Sequence, residues 1–425
     1  MINKRWPAAI AIVLGARYAS DSLRHRREQG QGYELRGESI EVGSDEFMRA
    51  TEALTMAPIA HGNDIELFIN GDAIFPAMLE TMAGAKRSLN FLSYLYWSGD
   101  IAGQIAAALV KAAQSGVEVN VLLDAVGSVK MDRQLVRDME DAGVTFAYFR
   151  PPKPYAIRRV NNRTHRKLLI ADGEVGMCGG VGIADQWTGN AQDPDHWRDT
   201  HVRVRGPIVR GLQGAFAENW LEATGDVLVG PAYLPELGPV ADEGAMQVVR
   251  STAEVGDTNV EALYFLAIAC ARETLHLTSA YFAPRPAFVE ALTDAAERGV
   301  DVRVLVPGQH IDKGAVRQAG RSVYEQLLEG GVRIYEYSPT MIHAKTLSID
   351  GAWSSVGSVN FDNRSFQLQD EVTLCVCSRD FAGKLDEQFR QDLERSEEID
   401  LDRWNGRSLP ARATQAITRL ARREL

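Results

Sequence analysis

Cysteine is scarce. The 425 residues hold four, Cys178, Cys270, Cys375 and Cys377, with no C-x-x-C pair among them. Nothing in that pattern suggests a bridge, so the four read as buried thiols of a protein in a reducing compartment. An excess of basic charge is also missing: Lys+Arg 46 against Asp+Glu 57 leaves a net charge of -11. That speaks against a general nucleic-acid binder, because phosphate backbones are drawn to basic fields. A long apolar run is lacking as well. Trp6 to Gly15, behind Lys4 and Arg5, falls far short of the roughly 20 residues of a membrane-spanning helix. It is expected to lie on a surface as an anchor, to pack against the core, or to act as a weak secretory signal interrupted by Arg17. Metal-ligand spacing is absent too. His25, His61, His276 and His310 stand apart from one another, and no cofactor is expected.

What is present is the balance of a packed protein, 45% apolar and 24% charged, long enough for two domains. The chain is written twice. Ala85 to Trp97 corresponds to Ala271 to Phe282, each a helix end running into a strand. Ala106 to Asp124 corresponds to Val289 to Pro307, a helix closed by Gly116 or Gly299 and then a buried strand. Ala142 to Phe149 corresponds to Gly330 to Tyr337, one further strand. Such alternation predicts an α/β protein: two duplicated α/β/α sandwich domains with mixed sheets, related by pseudo-two-fold symmetry. The expected partition is an apolar segment and linker over 1–60, a first domain over 61–240, a second over 241–400 and a basic amphipathic tail over 401–425.

The chemistry sits in a repeated H-x-K-x-x-x-x-D-G motif. His165, Lys167 and Asp172 in the first copy stand 178 residues before His343, Lys345 and Asp350 in the second. Residues two apart on a strand share a face, so each histidine and its lysine can address one phosphate. The aspartates complete the motif and are counted with the candidate set, although their opposite parity points them away and gives them a bracing role. Two His-Lys pairs supply what phosphodiester cleavage needs: a nucleophile, an acid for the leaving oxygen, and positive charge on the equatorial oxygens.

Short polar side chains after the second motif, Ser358 and Asn360 among them, suit phosphate-oxygen contacts. Glu371 is expected to orient a catalytic imidazole, and Asp199, after Trp197 and Arg198, to do the same in the first copy. Arg158, Arg159, Arg163 and Arg166 form a basic cluster in an acidic protein and are candidate phosphate or headgroup contacts.

These residues together resemble the twin signature of the phospholipase D superfamily. The segments Gly62-Asn-Asp, Asp124 to Ser128, Trp197 to Val202, Tyr335 to His343 and the Arg-rich tail are similar to short bacterial cardiolipin synthases. Gly182 departs from that pattern, standing where asparagine is often found. The resemblance implies transfer of a phosphatidyl group between phosphatidylglycerol molecules through a phosphohistidine, with His165 as nucleophile and His343 as general acid. It also implies a phospholipid substrate and peripheral attachment to the cell membrane on its cytoplasmic side. Leu409, Ala413, Ala416, Ile417 and Leu420, flanked by arginines, offer a helical face for that contact. The competing readings are a hydrolase releasing phosphatidic acid, a nuclease, and a catalytically silent lipid-binding protein.

Overall fold

The computed structural model describes residues 32–37, 39–152, 161–253 and 257–405. The apolar segment Trp6 to Gly15, Arg158, Arg159 and the amphipathic stretch from Leu409 lie outside the described residues.

In the first unit the strands are β1 (Asp64–Ile69), β2 (Ser88–Ser93), β3 (Glu118–Asp124), β4 (Thr145–Phe149), β5 (Arg163–Thr164), β6 (Leu168–Ala171), β7 (Val175–Gly179) and β8 (Thr200–Arg205). In the second they are β9 (Ala245–Ser251), β10 (Thr274–Ser279), β11 (Phe282–Ala283), β12 (Asp301–Pro307), β13 (Arg333–Tyr337), β14 (Lys345–Ile349), β15 (Trp353–Gly357), β16 (Phe361–Asp362), β17 (Gln369–Cys377) and β18 (Ser396–Glu398). The first sheet runs β1-β8-β7-β6-β2-β3-β4, and the second repeats it as β9-β17-β15-β14-β10-β12-β13, with β18 added at the edge. Pairing directions match throughout: β2 with β3 and β10 with β12 are parallel, β2 with β6 and β10 with β14 antiparallel. Even the register repeats, Leu89 facing Ala171 as Leu275 faces Ile349.

Local chemistry explains the elements. Helix Asp100–Gln114 buries Ile101, Ile105 and Leu109 on one stripe. Gly116 ends it at φ 88°, as Gly299 at φ 96° ends Pro286–Glu297, a conformation that a side chain resists. Burial of β3 from Val119 to Asp124 marks a strand covered on both faces, and it lies between β2 and β4. On one face of each sheet lies that unit's own core. Between the sheets, Leu168, Ile170 and Val202 of one share a core with Val356, Val372 and Leu374 of the other, joined by helices Val209–Thr224 and Arg379–Glu394.

Two segments differ from the expected partition. Residues ahead of the first sheet do not merely lead into it: helix Asp45–Thr55 sets Phe47 against Trp353 of the second unit, rings 6.0 Å apart. Likewise the tail begins with Leu401–Asn405, whose Trp404 is buried against Tyr324. In both places a large aromatic finds apolar cover on the second unit, which outweighs the polar composition around it. Among the described residues no helix is long and apolar enough to cross a membrane.

Candidate active site at the junction of the two units

Each His-x-Lys stretch enters its strand at the end where the parallel strands finish, the end at which open α/β sheets form crevices. Lys345 pairs with Ser279, the last residue of β10. The two stretches meet because each unit is stitched to the other by backbone. The His165 N–H donates to the Asp370 carbonyl at 2.8 Å, and the His343 N–H donates to the Arg198 carbonyl at 2.7 Å. The residue after each acceptor is a carboxylate. Glu371 therefore reaches His165 Nδ1 at 3.0 Å, and Asp199 Oδ2 reaches His343 Nδ1 at 2.9 Å. A carboxylate only accepts, so Nδ1 of each ring carries the hydrogen and the lone pair is left on Nε2, which in His343 stands 3.2 Å from Lys345 Nζ.

The lysines lie between. Lys167 Nζ donates to the His165 carbonyl at 2.6 Å, while Lys345 Nζ turns to the His343 carbonyl and stands 3.0 Å from that ring's Nδ1. All four motif side chains are buried. Each carboxylate has a second brace of different kind. Ser358 Oγ donates to Glu371, whereas Trp187 Nε1 donates to Asp199 Oδ2 at 2.8 Å. Gly180 occupies the place of Ser358 in the first copy, and a Cβ there would collide with the Asp199 carboxylate. An indole from another loop fills the need that a serine cannot.

The family model "Cardiolipin synthase, PLD-like domain" matches residues 78–201 and 264–393. A cardiolipin synthase of Geobacillus sp. (strain WCH70) is 33% identical over 387 residues, 90% of this chain and 77% of that protein. Cardiolipin synthase 2 of Bacillus anthracis is 34% identical over 376 residues, 88% of this chain and 73% of that protein. The chain belongs to the PLD-like cardiolipin synthase family. Solved structures share its fold: the phosphatidylserine synthase of Haemophilus influenzae Rd KW20 superposes with a TM-score of 0.68 at 13% identity, covering 90% of this chain and all of that one.

Burial sets the charge states of this family member's site. It drives the His165 imidazole well below its usual range, helped by the ammonium groups of Lys167 and Lys345. Burial likewise takes His343 down to about 3, although Asp199 pulls the other way. Lys167 falls to about 7 and Lys345 to about 8, again through burial. The two carboxylates part company. Burial raises Glu371 to about 7, while for Asp199 the hydrogen bond and charge of His343 outweigh burial and hold it below the usual range. Among the described residues no group of three or more His, Cys, Asp or Glu side chains is arranged to hold a metal ion.

The other expected residues divide. Ser358 and Asn360 are buried beside Glu371 and the short helix Asn363–Gln367, and the Asn360 amide oxygen has no partner among the described residues. Asp172 and Asp350, counted with the catalytic set, are not brought to the histidines. Each sits in a left-handed turn, φ 57° and 54°, and accepts three successive backbone N–H groups, Lys86 to Ser88 or Arg272 to Thr274. Of the basic cluster, Arg163 and Arg166 are among the described residues, and they do not share a surface. Arg163 is buried, donates to the Arg150 carbonyl at 2.7 Å and faces Asp124 at 3.5 Å. Arg166 points to the opposite side, donating to the carbonyls of Glu371, Ala215 and Ser251. Gly182, the departure from the family pattern, leaves room for Leu95 and Trp187, which a Cβ would crowd.

Rings around the histidines escaped the sequence reading. Tyr94 stands edge-on to His165 at 5.2 Å, and Trp187, Trp197 and Tyr281 surround His343 at 5.1, 5.8 and 6.2 Å. A signal existed: Tyr94 directly follows β2 and Tyr281 stands two residues past the end of β10, strand ends that the duplicated pattern had marked.

Proposed function

We propose that this chain is a cardiolipin synthase-type phosphatidyltransferase that moves a phosphatidyl group from one phosphatidylglycerol to another. The observation that carries it is the paired arrangement at the junction: two imidazoles, each backed at Nδ1 by the other unit's carboxylate, with two buried lysines beside them. The names of the Geobacillus and Bacillus relatives supply the substrate class.

His165 is the nucleophile in this reading. Its Nε2 forms a bond to phosphorus as the bond to the glycerol oxygen breaks, and His343 gives the departing oxygen its proton. The lysines and Asn360 meet the phosphate oxygens as they gain charge, while Ser358, its hydrogen given to Glu371, holds that carboxylate in place. A second phosphatidylglycerol hydroxyl then displaces His165 from phosphorus and returns a proton to His343. Asymmetry of the carboxylates favours that order. Asp199 stays ionised and supports protonation of His343, while Trp197 offers its ring to the resulting cation. An arriving phosphate anion raises the pKa of both imidazoles, against the effect of burial.

The work takes place at a membrane surface, on its cytoplasmic side, with phospholipid and not nucleic acid as partner; four free thiols and the acidic total support this. The test is incubation of purified protein with phosphatidylglycerol vesicles and a chelator, followed by mass spectrometry of the lipids. Cardiolipin and glycerol in equal amounts are expected. Phosphatidic acid alone would contradict the transfer and leave a hydrolase.

A further inference from the structure

The two copies of the unit differ at the mouth of the site. Ser93 and Ser279 make the same hydrogen bond to the carbonyl two residues on, but that residue is Leu95 in one copy and Tyr281 in the other. Tyr281 is buried with its ring perpendicular to His343, and its hydroxyl donates to Asp312 at 2.8 Å. Lys313 stands over the same ring, Nζ 4.5 Å from its centre. In the first unit the lysine of the corresponding loop, Lys130, lies over Trp97 instead.

Asp312 and Lys313 are exposed and follow β12, just ahead of helix Gly314–Arg321. Both act on the space between the histidines. The charge of Asp312 is felt at Lys345 and at Tyr94 on the opposite wall, and that of Lys313 at His165 and Lys167. Thus a carboxylate and an ammonium, both in contact with one buried tyrosine, stand beside His343 on the second unit.

We propose that Tyr281, Asp312 and Lys313 form the acceptor subsite and take the phosphoglycerol headgroup of the incoming lipid. The inference rests on the transferase reading above. Asp312 accepts a hydrogen bond from the secondary hydroxyl, Lys313 pairs with the phosphate, and Tyr281 holds the carboxylate in place. The terminal hydroxyl is left facing the phosphorus on His165. In that step its oxygen bonds to phosphorus, the P–N bond to His165 breaks, and the hydroxyl proton passes to His343, which gave its own to the departing glycerol. Water has neither a second hydroxyl nor a phosphate, so these contacts favour transfer over hydrolysis.

Wild type, Asp312→Asn and Lys313→Ala are assayed on phosphatidylglycerol vesicles with ethanol as a small competing acceptor. Cardiolipin and phosphatidylethanol arise from one intermediate, so their ratio reads acceptor recognition apart from donor cleavage. The ratio is expected to fall roughly tenfold in each variant, the scale of one lost charge-assisted hydrogen bond, and to recover in part with Asp312→Glu. Both side chains are exposed, so the core is spared. An unchanged ratio, whether or not both products decline together, overturns the subsite. Wild-type protein that makes phosphatidylethanol but no cardiolipin overturns the acceptor reading beneath it, and the subsite with it.

Discussion

Glu371 holds the ring of His165 across 206 residues of sequence, while the backbone N–H of His165 binds the carbonyl of the residue just before it. Asp199 and His343 repeat the relation in the other direction. Each unit thus carries a histidine that only the other unit can orient. Glu371→Gln or Asp199→Asn places an amide where Nδ1–H needs an acceptor and favours the wrong tautomer. Either is expected to lower kcat by about 10³- to 10⁴-fold with little change in KM. Steady-state kinetics of the folded variants checks this; a loss below tenfold would mean that the cross-unit pairs are not orienting the rings.

Trp187 packs edge-on against the His343 ring and acts through Asp199, to which its indole N–H donates. Trp187→Phe keeps the ring packing and removes the Nε1–H donor, and kcat is expected to drop roughly tenfold. A hydrogen bond to a carboxylate favours its charged form, so losing it raises the Asp199 pKa, which stays below that of Glu371; the loss is expected in kcat with KM and the limbs of the pH profile kept. An unchanged kcat would reduce Trp187 to packing.

The pH dependence follows from the buried charges. As pH falls, Glu371 is protonated near its value of about 7 and His165 loses its acceptor; as pH rises, Lys167 and Lys345 lose their charge near about 7 and about 8. A bell-shaped kcat/KM with a narrow maximum between those values is expected, its limbs belonging to the coupled cluster. Bound phosphate favours the charged lysines, so the alkaline limb of kcat should lie above that of kcat/KM. A flat profile from about pH 5 to 10 would contradict these assignments.

Asp172 and Asp350 are predicted to serve stability. Asp172→Ala strands three N–H groups, that of Ser88 buried, and forces alanine into a left-handed turn, for a cost of about 3 kcal/mol. Asp172→Asn, which tolerates that turn, should cost less. Denaturant unfolding measures both; loss of turnover at full stability would return the aspartate to the chemistry.

Much of this was readable in the sequence because duplication repeats what matters. The identical spacing of His165-x-Lys167 and His343-x-Lys345 marked the reactive groups, and the repeated strand signals gave two α/β units. Pairing of carboxylate with histidine was not readable, since it depends on how one sheet packs on the other. Arg166 misled for the same reason: it adjoins His165 in sequence but leaves the backbone on the other side, where carbonyls of three segments await it. Trp187 and Tyr94 were passed over because an aromatic near a strand end is more often simply core.

The central claim is a covalent phosphatidyl-histidine on one unit, formed and discharged with help from the other. Acid-quenched wild-type enzyme on phosphatidylglycerol vesicles, digested and mapped by mass spectrometry, tests it most directly. The account predicts a phosphatidyl adduct on the peptide bearing His165, accumulating in His343→Ala when the donor carries a leaving group that needs no proton, and absent from His165→Ala. An adduct on His343, or turnover with no adduct on either histidine, would contradict it.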